Sequence, residues 1–104
     1  MGTIKNKTGI AAKTRRTVLD RDGRCCILCG SPFQLEIAHY ISRAQLGIGV
    51  PQNLVLLCKK CHMAYDGTER EIYKPMIRDY LRSCYKNWNE KDLVYDKWSW
   101  TNED

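Results

Sequence analysis

Apolar and polar positions follow two different periods along the chain, and the changes of period mark out short helices around one hairpin. From Ala11 to about Asp20, the order Ala12, Arg15, Val18, Leu19 fits a short helix, which the Asp22-Gly23 turn ends. Gln34 to Tyr40 alternates with period two and reads as one strand of a hairpin. Ser42 to Gln52 carries Gly47, Gly49 and Pro51 and reads as an irregular loop; Asn53 then opens a second apolar run, Leu54-Val55-Leu56-Leu57. Cys61 to Tyr65 is predicted helical, which puts His62 and Asp66, four apart, on one face. Thr68-Glu69-Arg70-Glu71 has the form of a helix start, and Ile72, Met76, Ile77, Tyr80, Leu81 and Cys84 continue a stripe at helical spacing. Pro75 within that stripe implies a kink or a later start. Such a helix serves first to cover the core. Asn89 is placed to cap a further turn, and Trp88, Tyr95, Trp98 and Trp100 to pin the C-terminal part onto the body, with Thr101 to Asp104 fraying.

Size and charge narrow this picture. With 104 residues the chain suits one domain with a thin core, to which a bound metal would add stability. No apolar run approaches the roughly 18 residues of a membrane span, and Met1 to Ile10 has lysines with no hydrophobic segment behind them, so a soluble, cytoplasmic protein is expected. The formal charge is +5, and seven basic residues against two acids fall within the first thirty. Residues 1–10 read as a flexible basic arm. With Arg15, Arg16, Arg21 and Arg24 it points to a phosphate-bearing partner and to no membrane, although a solvated basic face would have the same composition.

The six cysteines change the picture most. In a chain without a recognisable export segment they read as metal ligands rather than as a disulfide scaffold. Cys26-Ile-Leu-Cys29 and Cys58-Lys-Lys-Cys61 are two C-x-x-C pairs, followed by Gly30 and His62. Each pair turns two thiolates to one side of a tight knuckle, and two knuckles supply the four sulfurs of a tetrahedral zinc site. A redox motif would need only one pair. Cys25 adjoins the first pair, and Cys84 reads as a buried small hydrophobe.

The chain has two histidines, and both lie between or directly beside the knuckles. Phosphodiester hydrolysis needs a base to activate water and a cation to neutralise the charge that grows on the phosphate. His39 is the candidate base, since an imidazole of ordinary pKa, about 6.5, is largely neutral at physiological pH. His62 is the candidate ligand for a catalytic divalent ion, with Asp66 one turn later as a second; Mg²⁺, Mn²⁺ or a softer ion would suit these donors. Arg43, Lys59 and Lys60 join Arg15 and Arg16 as candidate nucleic-acid contacts.

The order C-x-x-C-Gly30, Ile37-Ala38-His39-Tyr40-Ile41, Pro51-Gln52-Asn53-Leu54 and C-x-x-C-His62 resembles the HNH endonuclease family, particularly its small phage and prophage forms, over about residues 21–67. The resemblance implies an α+β fold: a zinc-braced treble clef whose hairpin and following helix (ββα-metal) grip one divalent ion, here flanked by N- and C-terminal helices. It implies a DNA substrate, products with 5′-phosphate and 3′-hydroxyl ends, His39 as general base, and Asn53 holding the hairpin loop so that the base is oriented. On this reading 11–98 form the nuclease domain, with a motif at 21–67 and a helical region at 68–98, and 99–104 form a tail. One position departs from the family. The residue before the catalytic histidine is often Asp or His and binds the metal; here it is Ala38, and Glu36, two residues back on the same strand face, is the candidate replacement. Ala38 also keeps open a non-catalytic zinc-finger module that holds nucleic acid, or an adaptor for phage packaging proteins. A homodimer or two successive nicks would account for cutting both strands.

Overall fold

In the computed structural model, which describes residues 9–95, the hairpin lies at the centre and every helix packs on it. Helix α1 spans Ala12–Arg21, strand β1 Leu35–His39, strand β2 Leu54–Cys58, helix α2 Lys59–Asp66 and helix α3 Arg70–Cys84, with 3₁₀ turns at Arg43–Gln45, Pro51–Asn53 and Glu90–Leu93. β1 and β2 pair antiparallel, Leu35 opposite Cys58 and His39 opposite Leu54. The expected α+β class is correct. The Lys5–Lys7 part of the basic arm, Trp98, Trp100 and the tail lie outside the described residues.

A two-stranded hairpin has little stability alone and must be covered. All five residues of β2 are buried, whereas β1 is buried only at Ala38. Val55 and Leu57 join Ala38, Tyr40, Tyr65, Ile77, Leu81 and Leu93 in the core on the side of α2 and α3. Leu54 and Leu56, alternating with them, face α1 and its buried Val18.

The end of α1 is tied to the hairpin by an ion pair. Arg21 Nε binds Asp22 Oδ1 at 2.6 Å, Nη1 donates to Pro51 O (2.7 Å) and Tyr85 Oη (2.9 Å), and Nη2 donates to Leu54 O (2.5 Å). Asp22 Oδ2 accepts the Leu56 N–H at 2.8 Å, and Tyr80 Oη donates to Asp22 Oδ1. Arg21, grouped by sequence with the phosphate-facing basic residues, is therefore committed to the interior.

Four further details differ from the sequence reading. β1 is one residue shorter at each end, because Gln34 has a left-handed φ of 52° and, past His39, the Tyr40 N–H still donates in register to Asn53 O but the Asn53 N–H turns to Val50 O and does not return the bond. α2 begins two residues early, because Cys58 caps it: its Sγ accepts the Cys61 N–H. α3 runs through Pro75 and starts at Arg70 without a side-chain cap, so the Thr68-x-x-Glu71 signature is not used. Ile72 and Met76 are 62% and 49% exposed; the face turned inward is Tyr73, Ile77, Tyr80, Leu81 and Cys84, one position round from the stripe that included them.

Candidate active site and metal centre

The two knuckles converge. The Sγ atoms of Cys26, Cys29, Cys58 and Cys61 all lie within 4.8 Å of one another, and Cys29 and Cys58 Sγ are 3.6 Å apart. Four bonds of about 2.3 Å to a tetrahedral zinc ion place sulfurs about 3.8 Å apart, so the donor set fits zinc. The local chain makes this happen twice in the same way. Cys29 N–H points at Cys26 Sγ (3.5 Å) and Cys61 N–H at Cys58 Sγ (3.4 Å). Gly30, at φ 81°, supplies the left-handed turn that closes the first knuckle. Burial alone would raise the Cys26 thiol, but the backbone N–H groups of Cys29, Cys58 and Leu28 outweigh it and hold the thiol at about 7. Burial and the neighbouring sulfurs push Cys61 well above the ordinary thiol range. Four thiolates so confined repel one another, and a bound dication removes the conflict. Cys25 and Cys84 stand outside the cluster, and Cys84 is half-buried rather than fully buried.

Directly after the last sulfur ligand the character of the surface changes. His39, His62, Asp66, Arg43, Ser42 and Ile37 line an open cleft of about 300 Å³, with Ile10 closing one side. The cleft thus takes residues from β1, the loop and α2. His62 Nδ1 lies 2.6 Å from Glu36 Oε1, and Nε2 lies 3.3 Å from Asp66 Oδ2. The two carboxylates flank opposite edges of one ring, so they do not converge on a single point, and all three groups retain access to water. Two ligands held side by side on one ion at about 2.1 Å stand roughly 3 Å apart, which His62 Nε2 and Asp66 satisfy. The shorter Glu36 contact is a hydrogen bond that fixes which nitrogen carries the proton.

The backbone that follows His39 is held by buried or half-buried groups. Asn53, 0% exposed, accepts the Ile41 N–H on Oδ1 (2.8 Å) and donates through Nδ2 to Ile41 O (3.1 Å) and Ile48 O (2.9 Å). Tyr65 Oη donates to Tyr40 O at 2.7 Å, and Arg70 Nη2 to the same oxygen at 3.2 Å. Burial pushes the Tyr65 phenol up to about 12, so it remains a donor throughout the physiological range. Gly47 closes the loop: a Cβ there would lie 1.8 Å from Ile41 O and 2.9 Å from Asn53 Nδ2. The loop is pinned from outside by the C-terminal segment, Ile48 N–H to Leu93 O and Tyr95 N–H to Leu46 O.

Sequence reasoning did not find Gly47, Tyr65 or Arg70 as parts of this assembly; only the glycine gave any signal, as one of several in the loop. Of the candidate phosphate contacts, Arg43 lines the cleft. Lys59 and Lys60 are exposed at the start of α2, outside the cleft lining, and Arg15 and Arg16 line a separate hollow on α1 with Arg24.

Residues 26–66 match the family model described as HNH endonuclease. This segment is similar to the HNH endonucleases. The matched span runs from the first cysteine of the sulfur cluster to Asp66 and so contains both that cluster and the cleft's histidines. No curated protein matches the chain. Among solved structures, the Type IV phosphorothioation-dependent restriction endonuclease ScoMcrA is similar over 80% of this chain, with a TM-score of 0.65 and 24% identity. That likeness is one of fold, and the chain spans only 18% of the neighbour's length.

Proposed function

We propose that this HNH chain is a divalent-metal-dependent endonuclease that hydrolyses phosphodiester bonds of DNA. The observation that carries the reading is the single cleft that brings His39, His62, Asp66 and Arg43 together beside a loop locked by Asn53. His39 takes a proton from water; the water oxygen attacks phosphorus, the bond to the 3′ oxygen breaks, that oxygen takes a proton from solvent water, and the products are a 5′-phosphate and a 3′-hydroxyl. Asn53 acts through the backbone of Ile41, holding the strand end so that His39 keeps its aim. His62 Nε2 and Asp66 are the protein ligands for a Mg²⁺ or Mn²⁺ ion, and Glu36 orients His62 by accepting from Nδ1, which compensates for the methyl group of Ala38. When bound, that ion supplies positive charge to the phosphate and the leaving oxygen. Arg43 contacts a phosphate in the cleft, while Arg15, Arg16, Lys59 and Lys60 act at longer range.

A binding module that never cuts is the competing reading, and it rests on Ala38, whose side chain is 1% exposed in the core and offers no ligand. The readings separate on supercoiled plasmid. Zinc-loaded protein is expected to convert it to the open circle when Mg²⁺ or Mn²⁺ is added and not when the ion is omitted. Binding with no nicking under any divalent ion would leave only the module.

A further inference from the structure

Residues 68–104 carry no excess of positive charge, yet α3 gathers four of their cations on one line. Arg70, Lys74, Arg78 and Arg82 recur at every fourth residue. On a helix rising 1.5 Å per residue, they form a stripe with steps of about 6 Å and a length of about 18 Å. Three of them stand on aromatic rings. The Arg70 guanidinium lies 4.4 Å from the Tyr65 ring centre, Lys74 Nζ 5.5 Å from that of Tyr40, and the Arg82 guanidinium 6.0 Å from that of Trp88. Tyr40 and Trp88 pack edge to face at 5.7 Å, so these two supporting rings form one surface.

An aromatic face attracts a cation without neutralising it. The stripe is therefore ordered and still positive. Among the described residues no carboxylate is ion-paired with Arg70, Lys74 or Arg82. The acids nearby are Asp79, which sits 3.5 Å from Arg78 Nε, Glu71, which shares a hollow with Arg70, Lys74 and Arg78, and Glu90, which takes the Tyr40 hydroxyl proton in a hydrogen bond. Arg78 Nε is buried and makes no hydrogen bond. The stripe begins beside the active strand, because Arg70 also donates to Tyr40 O, one residue beyond His39.

We propose that this edge of α3 is a second phosphate-binding surface, which tracks one strand of duplex DNA away from the cleft. A duplex strand carries one phosphate per about 3.4 Å of axis and winds as it rises, so a stripe of about 18 Å meets the phosphates on the near side of that strand. The inference rests on the nuclease reading for its substrate, but it concerns affinity and not cutting.

The test is the binding of the full, zinc-loaded chain to a fluorescent 20-base-pair duplex across a KCl series, without a catalytic ion. Each phosphate contact contributes about 0.9 to the slope of log affinity against log salt. Lys74→Gln with Arg82→Gln is expected to flatten that slope by about 1.8 and to weaken binding about tenfold or more at roughly 0.1 M salt. Lys91→Gln, an exposed cation off the stripe, should change neither as much. Arg82→Gln alone is exposed and should give half the change in slope, which keeps the test readable if the double variant loses its zinc. The proposal is overturned by wild-type slope and affinity in the variants, by an equal loss in Lys91→Gln, by tighter binding to an RNA duplex of the same length, or by no binding of the wild type. Stripe-dependent binding without nicking under any divalent ion would instead overturn the nuclease reading and leave the surface standing.

Discussion

The sulfur cluster and the histidine cleft lie next to each other, Cys61 beside His62, and differ in almost every physical respect. In the first, four like donors converge within 4.8 Å, two of them buried, and backbone N–H groups support the knuckles. In the second, the donors are mixed, come from a strand and a helix, stay open to water and flank a ring instead of meeting at one point. A structural metal needs a closed, complete shell, whereas a catalytic ion needs open positions for water and phosphate. The difference teaches that the four sulfurs are assembled into one cluster by the fold, whereas the donors of the cleft are left apart and open to water.

The largest expected effect breaks the brace. Cys58→Ser removes both a sulfur of the metal-binding cluster and the cap of α2, and loss of cooperative folding by circular dichroism is expected together with loss of bound zinc. A folded, metal-free variant would show that the hairpin needs no brace. The next effect falls on the loop that serves the cleft. Gly47→Ala places a methyl group against Ile41 O, and Asn53→Ala leaves three buried backbone groups without their partner. Each substitution should cost about 3 kcal/mol and lower the melting temperature by roughly 10 °C or more, with zinc retained. Unchanged melting of Asn53→Ala would mean that the loop is held by other contacts.

Smaller effects divide the two carboxylates around His62. Asp66→Asn should raise the Mn²⁺ concentration needed for half-maximal nicking about a hundredfold, and Glu36→Gln roughly tenfold, since an orienting partner contributes less than a ligand. The reverse order would make Glu36 the ligand and Asp66 the support. Neither change should alter zinc content.

Legibility in the sequence followed the same divide. The brace was readable because C-x-x-C spacing is local: each knuckle is one turn, and the pairing of the two needs no knowledge of the fold. β1 was readable from its period of two, and β2 from a short continuous apolar run. The histidines were found by their placement and by family resemblance, but how His62 divides between Glu36 and Asp66 depends on ring orientation, which spacing does not encode. Tyr65 acts on the Tyr40 carbonyl, distant in sequence, so its type carried no signal, and Gly47 stood out only as one of several glycines in the loop. Arg21 misled because a cation inside a fold looks, in a string of letters, like one on its surface. The α3 stripe was hidden by the acids of residues 68–104, which cancel it in a count of charge although, among the described residues, only Asp79 is ion-paired with one of its cations.

The central claim is that His39 performs the proton transfer in a cleft that the zinc brace and Asn53 only position. Single-turnover nicking of supercoiled plasmid by zinc-loaded, folded His39→Ala, beside the wild type in Mg²⁺ or Mn²⁺, tests it most directly. A rate lower by roughly 10²- to 10⁴-fold, with plasmid binding and zinc content unchanged, is the predicted result. Nicking at the wild-type rate would contradict it.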